Sequence, residues 1–289
     1  MKITPLDVGI LICVLILAAF IVYRLAVALN YKWNWGIIPQ YILRYDAEEG
    51  RWVANLLLQG LLTTIRLSVW ATLLATLIGV FMGVLRTTPR LFNRLLGGTY
   101  VELIRNVPPL VLVFIFYYFV ADQIMPLLGV DQFVRGQTPR IQGVLAWLFA
   151  TPDLFNAFLS GVVTIAFFQG AYITEIVRAG IQSLERGQWE AAHALGLSWY
   201  QQMRYIIMPQ ATRRVLPPLA NEFINTIKYS AIVSVISIQE LTFQGFQIMA
   251  ATRAAIEVWL TITAMYLVLC LTLSMAVQWL ENRLARSDH

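Results

Sequence analysis

Eight charged residues lie inside or beside strongly apolar stretches of this 289-residue chain. A charged side chain at the centre of a bilayer costs about 2.5–3.5 kcal/mol on insertion scales, so each is expected to face other helices, water or an opposite charge. Residues of this kind line the paths of polar solutes or hold helices together as ion pairs. The eight are Arg66, Glu102, Arg105, Glu175, Arg178, Glu222, Lys228 and Glu240.

Four of these side chains are predicted to belong to a solute pathway. Arg66, Glu102 and Arg105 combine two cations with an anion in neighbouring apolar segments. An internal Glu102–Arg105 pair that orients the third span is the alternative for two of them. Lys228 lies beside a Tyr-Ser break, where it either gates the pathway or extends its charge to the membrane surface.

Two of the remaining acidic residues, Glu175 and Glu222, favour structural roles. Glu175 and Arg178 are three positions apart, so they share one face of a helix and are predicted to form a local ion pair. Glu222 is placed near the same end of the membrane and is given a similar role.

The composition of the chain predicts an all-α fold, a polytopic membrane helix bundle. Hydrophobic residues make up 58% of the sequence and charged residues only 13%, which is too apolar for an average soluble domain. Several apolar runs approach or exceed the roughly 20 residues that cross a bilayer. The predicted spans are 8–29, 63–85, 107–128, 154–181, 216–238, interrupted near Lys228-Tyr-Ser230, and 258–280.

Little else in the sequence points to chemistry. Cys13 and Cys270 lie in apolar runs and are interpreted as small buried residues. His193 and His289 have no metal-ligand spacing, and no phosphate-binding Gly-x-x-x-x-Gly-Lys-Ser/Thr loop occurs. A membrane enzyme is therefore a distant possibility, and no cofactor or metal is expected. The net charge of +5 needs no nucleic-acid partner, because cytoplasmic loops of membrane proteins carry surplus Lys and Arg.

Six crossings would place both termini on one side, and the distribution of Lys and Arg, including Lys2, favours that side as cytoplasmic. The first span is interpreted as an anchor, with a signal peptide cleaved near Ala26-Val-Ala28 as the alternative. In the second span, Gly79 and Gly83 either permit close helix approach or face lipid by chance. The segment from Gly129 to Asp153 is predicted to lie outside the membrane.

The polar loop at 184–214 is predicted to be a helical docking surface rather than a plain connector. Good helix formers fill Gln188–Leu195, and Gly196 stands where a left-handed residue would close that helix. Ala191 and Ala192 keep the helix thin, so that a neighbouring backbone can come close. Glu190 lies in the first turn, where the helix dipole favours a negative charge that can meet a basic partner.

A second helix is predicted to follow this corner directly. Ser198 is suited to the N-cap, and Gln201 three positions later completes a capping box. Pro209 is expected to end the helix at Met208.

The same loop resembles the "EAA" loop of permease subunits in bacterial ABC importers. The resemblance is carried by Glu190-Ala-Ala192, Gly196 and Ile206-x-Met208-Pro209, and continues through other motifs of the polar amino-acid permease subfamily. These are Glu102-Leu-Ile-Arg-Asn-Val-Pro-Pro109, Gly170-Ala-Tyr-Ile-Thr-Glu-Ile-Val-Arg-Ala-Gly-Ile-Gln-Ser183, Leu216-Pro-Pro-Leu-Ala-Asn-Glu-Phe223 and Ser234-Val-Ile-Ser-Ile-Gln-Glu-Leu241.

The resemblance implies a transport subunit of the bacterial inner membrane that pairs with itself or a sister permease. Two cytoplasmic ATPase subunits would bind ATP and Mg and dock on Glu190, Ala191, Ala192, Gly196 and Pro209. An extracytoplasmic binding protein would deliver a polar amino acid. Such a zwitterion needs a cation and an anion or carbonyls, which the predicted pathway residues would supply.

The implied organisation is a five-span permease core at 53–282, preceded by an anchor and extracytoplasmic connection at 1–52 and followed by a cytoplasmic tail at 283–289. The first span and the 129–153 segment exceed the common core. Met208 replaces the usual leucine, and Tyr229 stands where many relatives have a small polar or acidic residue. A secondary carrier or channel without ATPase subunits is the alternative function, although a helix–Gly–helix loop has no role in it.

Overall fold

The computed structural model describes residues 5–28, 31–48 and 50–286 of the chain, so Lys2 and His289 lie outside the described residues. Two compact units are present, Met1–Ile37 and Ile38–His289. The α-helices, in chain order, are α1 Pro5–Ala28, α2 Ile38–Ile42, α3 Leu56–Thr87, α4 Leu91–Arg105, α5 Pro109–Phe119, α6 Met125–Leu127, α7 Val130–Arg135, α8 Pro139–Leu148, α9 Phe155–Gln182, α10 Arg186–Ala194, α11 Trp199–Gln202, α12 Met208–Tyr229, α13 Leu241–Thr252 and α14 Ala255–Arg286.

The predicted helical class is confirmed, with one small addition. Strands β1 Leu43–Asp46 and β2 Arg51–Ala54 form an antiparallel hairpin. Tyr45 stands opposite Trp52, and their rings lie 5.6 Å apart. Cross-strand aromatic pairs of this kind stabilise a hairpin.

Three helices among the described residues are long and apolar enough to cross a membrane. They are α3, the helical run Pro152–Gln182 that contains α9, and Ala255–Trp279 within α14. Helices α4 and α5 pass the same test only as a pair, bent by 111°. The first unit contains α1, whose apolar part is Val8–Phe20.

The predicted interruption near Lys228-Tyr-Ser230 is confirmed. Helix α12 ends at Tyr229, and a 3₁₀-helix continues from Ser230 to Ile236. Ser237 then adopts a left-handed conformation with φ of 61°, and α13 begins four residues later. The 129–153 segment is also more regular than a loop, because it contains α7 and α8.

Helices α3 and α9 pack closely because glycine stands at their contact. Gly79 and Gly83 are both buried in α3. A Cβ atom at Gly79 would overlap the side chain of Ile173, and one at Gly83 would lie 2.7 Å from Val177. The interpretation of these glycines as a close-approach face is therefore confirmed.

A hydrophobic cluster joins this helix pair to the polar loop. Ile173 and Val177 of α9 belong to one buried group with Met203 and Ile207 after α11, and with Ala211 of α12. Because interiors pack at high density, displacement of one element in this cluster requires its neighbours to move. The loop is therefore mechanically continuous with the α3–α9 pair.

Candidate functional site

The loop contains the predicted helix and its glycine corner. Helix α10 ends at Ala194, and Gly196 has a φ of 71°. The Gly196 amide donates to the His193 carbonyl at 2.9 Å, and the Leu197 amide donates to the Ala192 carbonyl at 3.3 Å. These two bonds form a Schellman motif, in which glycine avoids the strain that a Cβ atom suffers in the left-handed region.

The capping box at the second helix is also confirmed. Ser198 is the N-cap of α11, and its Oγ accepts a hydrogen bond from the Gln201 amide at 3.4 Å. In return, the Ser198 amide donates to Gln201 Oε1 at 2.8 Å. The corner between α10 and α11 is thus fixed by local hydrogen bonds on both sides.

The predicted end of the second helix at Met208 is wrong. A π-helical turn from Met203 to Ile207 follows α11, and α12 continues from Met208 through Pro209. The Met208 amide bonds to the Met203 carbonyl, five residues back. This wider turn accommodates the proline ring, which would otherwise clash with a carbonyl four residues earlier.

The predicted docking residues differ in their exposure to solvent. Glu190, Ala191, Gly196 and Pro209 are exposed, whereas Ala192 is buried against the bundle. Ala192 therefore seats α10 on its own chain, and the outer face is available to another molecule. Sequence reasoning missed the large exposed side chains beside the corner, Leu195, Tyr200 and Tyr205. Their apolar character within an otherwise polar loop is the sequence signal that could have indicated this exposed surface.

Polar contacts fasten the loop to the end of α9. Arg214 Nη1 donates to the Ser183 carbonyl at 2.5 Å and to Ser183 Oγ at 3.0 Å. Gln210 Nε2 donates to Gln188 Oε1 at 3.4 Å, linking α12 to α10. These contacts, together with the buried cluster, make α9, α10 and α12 one connected body.

Glu175 and Arg178 form the predicted pair, with Nη2 and Oε2 2.7 Å apart. Arg86, at the end of α3, also pairs with Glu175 and was missed because it is distant in the sequence. Beside this triad lies a basic cleft of about 830 Å³, to which Arg94 and Arg186 contribute.

The predicted pathway residues lie at separate places. Arg66 Nη1 donates to the carbonyls of Ala146 at 2.7 Å and Phe149 at 3.2 Å. Arg66 therefore binds the carbonyl end of α8, where a helix dipole favours a cation. Lys228 is exposed near the end of α12. No direct contact joins the four predicted pathway residues within the part of the chain that the structure describes.

Glu102 and Arg105 each have a partner other than one another. Glu102 Oε2 accepts a hydrogen bond from Asn106 Nδ2 at 3.0 Å. The Arg105 guanidinium lies over the Tyr172 ring, 5.4 Å from its centre, and connects α4 to α9. Both charged side chains remain exposed, so they are accessible to a solute or to a neighbouring chain.

Glu222 has the structural role predicted for it. Its Oε1 accepts a hydrogen bond from Gln169 Nε2 at 2.9 Å, and the same amide nitrogen lies 3.1 Å from Thr226 Oγ1. All three side chains are buried between α9 and α12. Buried polar groups are held in register by such bonds, because leaving them unpaired is costly.

Glu240 is the centre of a second buried polar group. Its Oε1 caps α13 by accepting the Phe243 amide at 2.8 Å, and its Oε2 accepts the Tyr266 hydroxyl at 2.8 Å. The Thr64 hydroxyl lies 3.5 Å from the same carboxylate and accepts the Leu241 amide at 3.1 Å. Glu240 thus fastens α13 to both α3 and α14.

The described residues thus form a bundle of helices, three of them long and apolar enough to cross a membrane, with an exposed helical corner in the polar loop. Residues 75–286 match the family described as binding-protein-dependent transport system inner membrane component. The chain belongs to this family. It is accordingly a membrane permease component of a transport system, rather than an enzyme, and the secondary-carrier alternative is set aside.

Individual relatives agree with this assignment. The chain is 33% identical over 256 residues to the glutamate/aspartate import permease protein GltJ of Escherichia coli strain K12, covering 88% of this chain and 96% of that protein. It is 34% identical over 233 residues to the probable glutamine ABC transporter permease protein GlnM of Bacillus subtilis strain 168, covering 81% and 95% respectively.

Solved structures show the same fold. An amino acid ABC transporter crystallised with histidines has a chain that is 35% identical, with a TM-score of 0.62, covering 79% of this chain and 94% of that one. A chain of the inward-facing MetNI methionine ABC transporter, 16% identical with a TM-score of 0.61 and covering 79% and 96%, shares the fold.

Proposed function

We propose that this chain is the permease subunit of an ATP-driven importer that moves a polar amino acid into the cytoplasm. Its partners would be two ATPase subunits that bind ATP and Mg, a second permease chain and an extracytoplasmic amino-acid-binding protein. The relatives named above as glutamate/aspartate and glutamine permeases support this substrate class. The single observation that carries the proposal is the exposed helix–Gly–helix corner on a chain of this family.

Coupling would run through the corner into the bundle. A partner that pushes on Glu190 or Ala191 moves α10, which is seated on the bundle by Ala192. Because Met203 and Ile207 pack against α9, the displacement reaches the membrane helices without a flexible link. Arg66, Glu102, Arg105 and Lys228 are retained as pathway residues in this proposal.

Charge reversal at the corner tests the coupling. Glu190→Lys places a cation on the exposed face of α10 and should lower ATP-dependent uptake by at least about tenfold, the size expected when a close charge pair between proteins is lost. Uptake of radiolabelled amino acid into proteoliposomes, together with co-purification of the ATPase, measures the effect.

The matched control is Glu48→Lys, which makes the same change at an exposed carboxylate beside the β1–β2 hairpin. It should leave uptake and ATPase association unchanged. Normal ATP-dependent uptake by the Glu190→Lys variant would contradict the proposed coupling.

A further inference from the structure

A cleft of about 300 Å³ lies at the opposite end of α9 from the polar loop, between α3, α9 and α13. Its size is at the lower end of the range for small-molecule sites, and suits a molecule as small as an amino acid. One wall comes from residues 146–154, around the end of α8. The cleft therefore depends in part on the 129–153 segment.

Two polar groups in this cleft have unused hydrogen-bonding capacity. Arg66 lines the cleft, and its Nε and Nη1 atoms donate to backbone carbonyls, whereas its Nη2 has no partner among the described residues. Gln244 is only 3% exposed, and its Oε1 accepts no hydrogen bond in the described part of the chain. A buried acceptor without a partner is costly, so a ligand that donated a hydrogen bond to this atom would be stabilised in the cleft.

The rest of the lining limits what that ligand can be. Arg66 is the single charged side chain among the described residues that line the cleft, and Gln59 and Gln239 add further amides. Phe149 and Phe158 provide an apolar surface. A second carboxylate on the ligand would find no second cation here, and burying an unpaired charge is unfavourable.

We propose that this cleft binds a neutral amino acid with an amide side chain. The Arg66 guanidinium would hold the α-carboxylate, the Gln244 Oε1 atom would accept a hydrogen bond from the ammonium group, and the remaining amides would bind the side chain. Ser237, in a left-handed conformation that costs energy for a residue with a Cβ atom, also lines the cleft. Strain of this kind is common at ligand sites. The inference rests on the proposed import function and assigns its substrate class.

The test measures binding directly on the complete complex. The permease, with its ATPase subunits and no delivery protein, is placed in nanodiscs and titrated with radiolabelled glutamine and glutamate. The wild type should bind glutamine saturably and glutamate at least about tenfold more weakly. Gln244→Leu should weaken glutamine binding by about tenfold, the equivalent of one lost hydrogen bond.

Matched controls lie close by. Gln247→Leu makes the same change on the exposed face of α13 and should bind as the wild type does. Arg66→Gln should weaken binding more than Gln244→Leu does, because a charged partner is lost. Its control is Arg140→Gln, which removes an exposed arginine of α8 that does not line the cleft and should bind as the wild type does. If Arg66→Gln fails to fold, the comparison of Gln244→Leu with Gln247→Leu still tests the inference.

Absence of saturable glutamine binding by the wild type, equal affinity for glutamate, or wild-type affinity in Gln244→Leu would each overturn the inference. ATPase association and ATP-driven uptake are measured on the same preparations. Normal coupling with unchanged binding in the variants would reject the cleft and leave the proposed function intact. Failure of the wild type to bind an ATPase would reject the proposed function itself.

Discussion

At the residue scale, Glu175 shows how charges in the bundle are shared. It accepts two arginines, Arg86 from α3 and Arg178 from its own helix. The three side chains are partly buried, with 18–31% of each side chain exposed. Removing Glu175 would leave two cations side by side, so its role is to hold the ends of α3 and α9 together near the loop.

The conformation of Gly196 leads to a prediction at the same scale. Its φ of 71° costs an L-residue roughly 1–2 kcal/mol, so Gly196→Val should destabilise the corner by about that amount. Association with the ATPase should fall with it, as measured by co-purification. Gly187→Val, in the first turn of α10 with open space around its Cβ position, is the control. Equal ATPase association in both variants would contradict this role for Gly196.

Local features of the site could be predicted from the sequence, whereas features that join distant segments could not. Gly196 and Ser198 act on neighbours within a few residues, so their caps follow from spacing alone. The continuation of α12 through Pro209 depends on a π-turn that sequence periodicity does not show. The Arg86–Glu175 pair joins positions 89 residues apart, and only the fold brings them together.

At the element scale, α9 is the central helix of the second unit. In the most apolar stretch of each spanning helix, 67% of the residues are buried in the helical run that contains α9. The corresponding fractions are 33% in α3 and 6% in α14. Helix α9 contacts the loop at one end and lines the small cleft at the other. The exposed surface of α14 is accordingly left for lipid or for a second permease chain.

The glycine contact between α3 and α9 gives the prediction for this scale. Gly79→Val would force two methyl groups against Ile173 and should destabilise the protein by about 1–3 kcal/mol, as overpacking does. Thermal unfolding in detergent measures the change. Gly98→Val, on α4 with nothing within 4 Å of its Cβ position, should lower the unfolding temperature much less. A similar loss in both variants would contradict close packing at Gly79.

At the scale of the whole molecule, the polar loop and the β1–β2 hairpin are separated by a membrane in the proposed topology. Single cysteines test this arrangement after Cys13 and Cys270 are replaced. With a membrane-impermeant maleimide, Glu48→Cys should be labelled in intact spheroplasts, and Gly187→Cys only in inverted vesicles. The cysteine-free parent is the control, and labelling of both positions from the same side would contradict the topology.

Two π-turns among the described residues come before the same dipeptide, Met-Pro. Val120–Ile124 leads into Met125-Pro126, and Met203–Ile207 leads into Met208-Pro209. Each turn holds one residue more than an α-helix would, and one residue corresponds to about 100° of rotation. The rotation of α10, with Glu190, about the axis of α12 is therefore set by the number of residues in the turn Met203–Ile207. Deleting one residue from this turn would reorient Glu190 relative to the membrane helices, although the sequences of α10 and α12 would be unchanged.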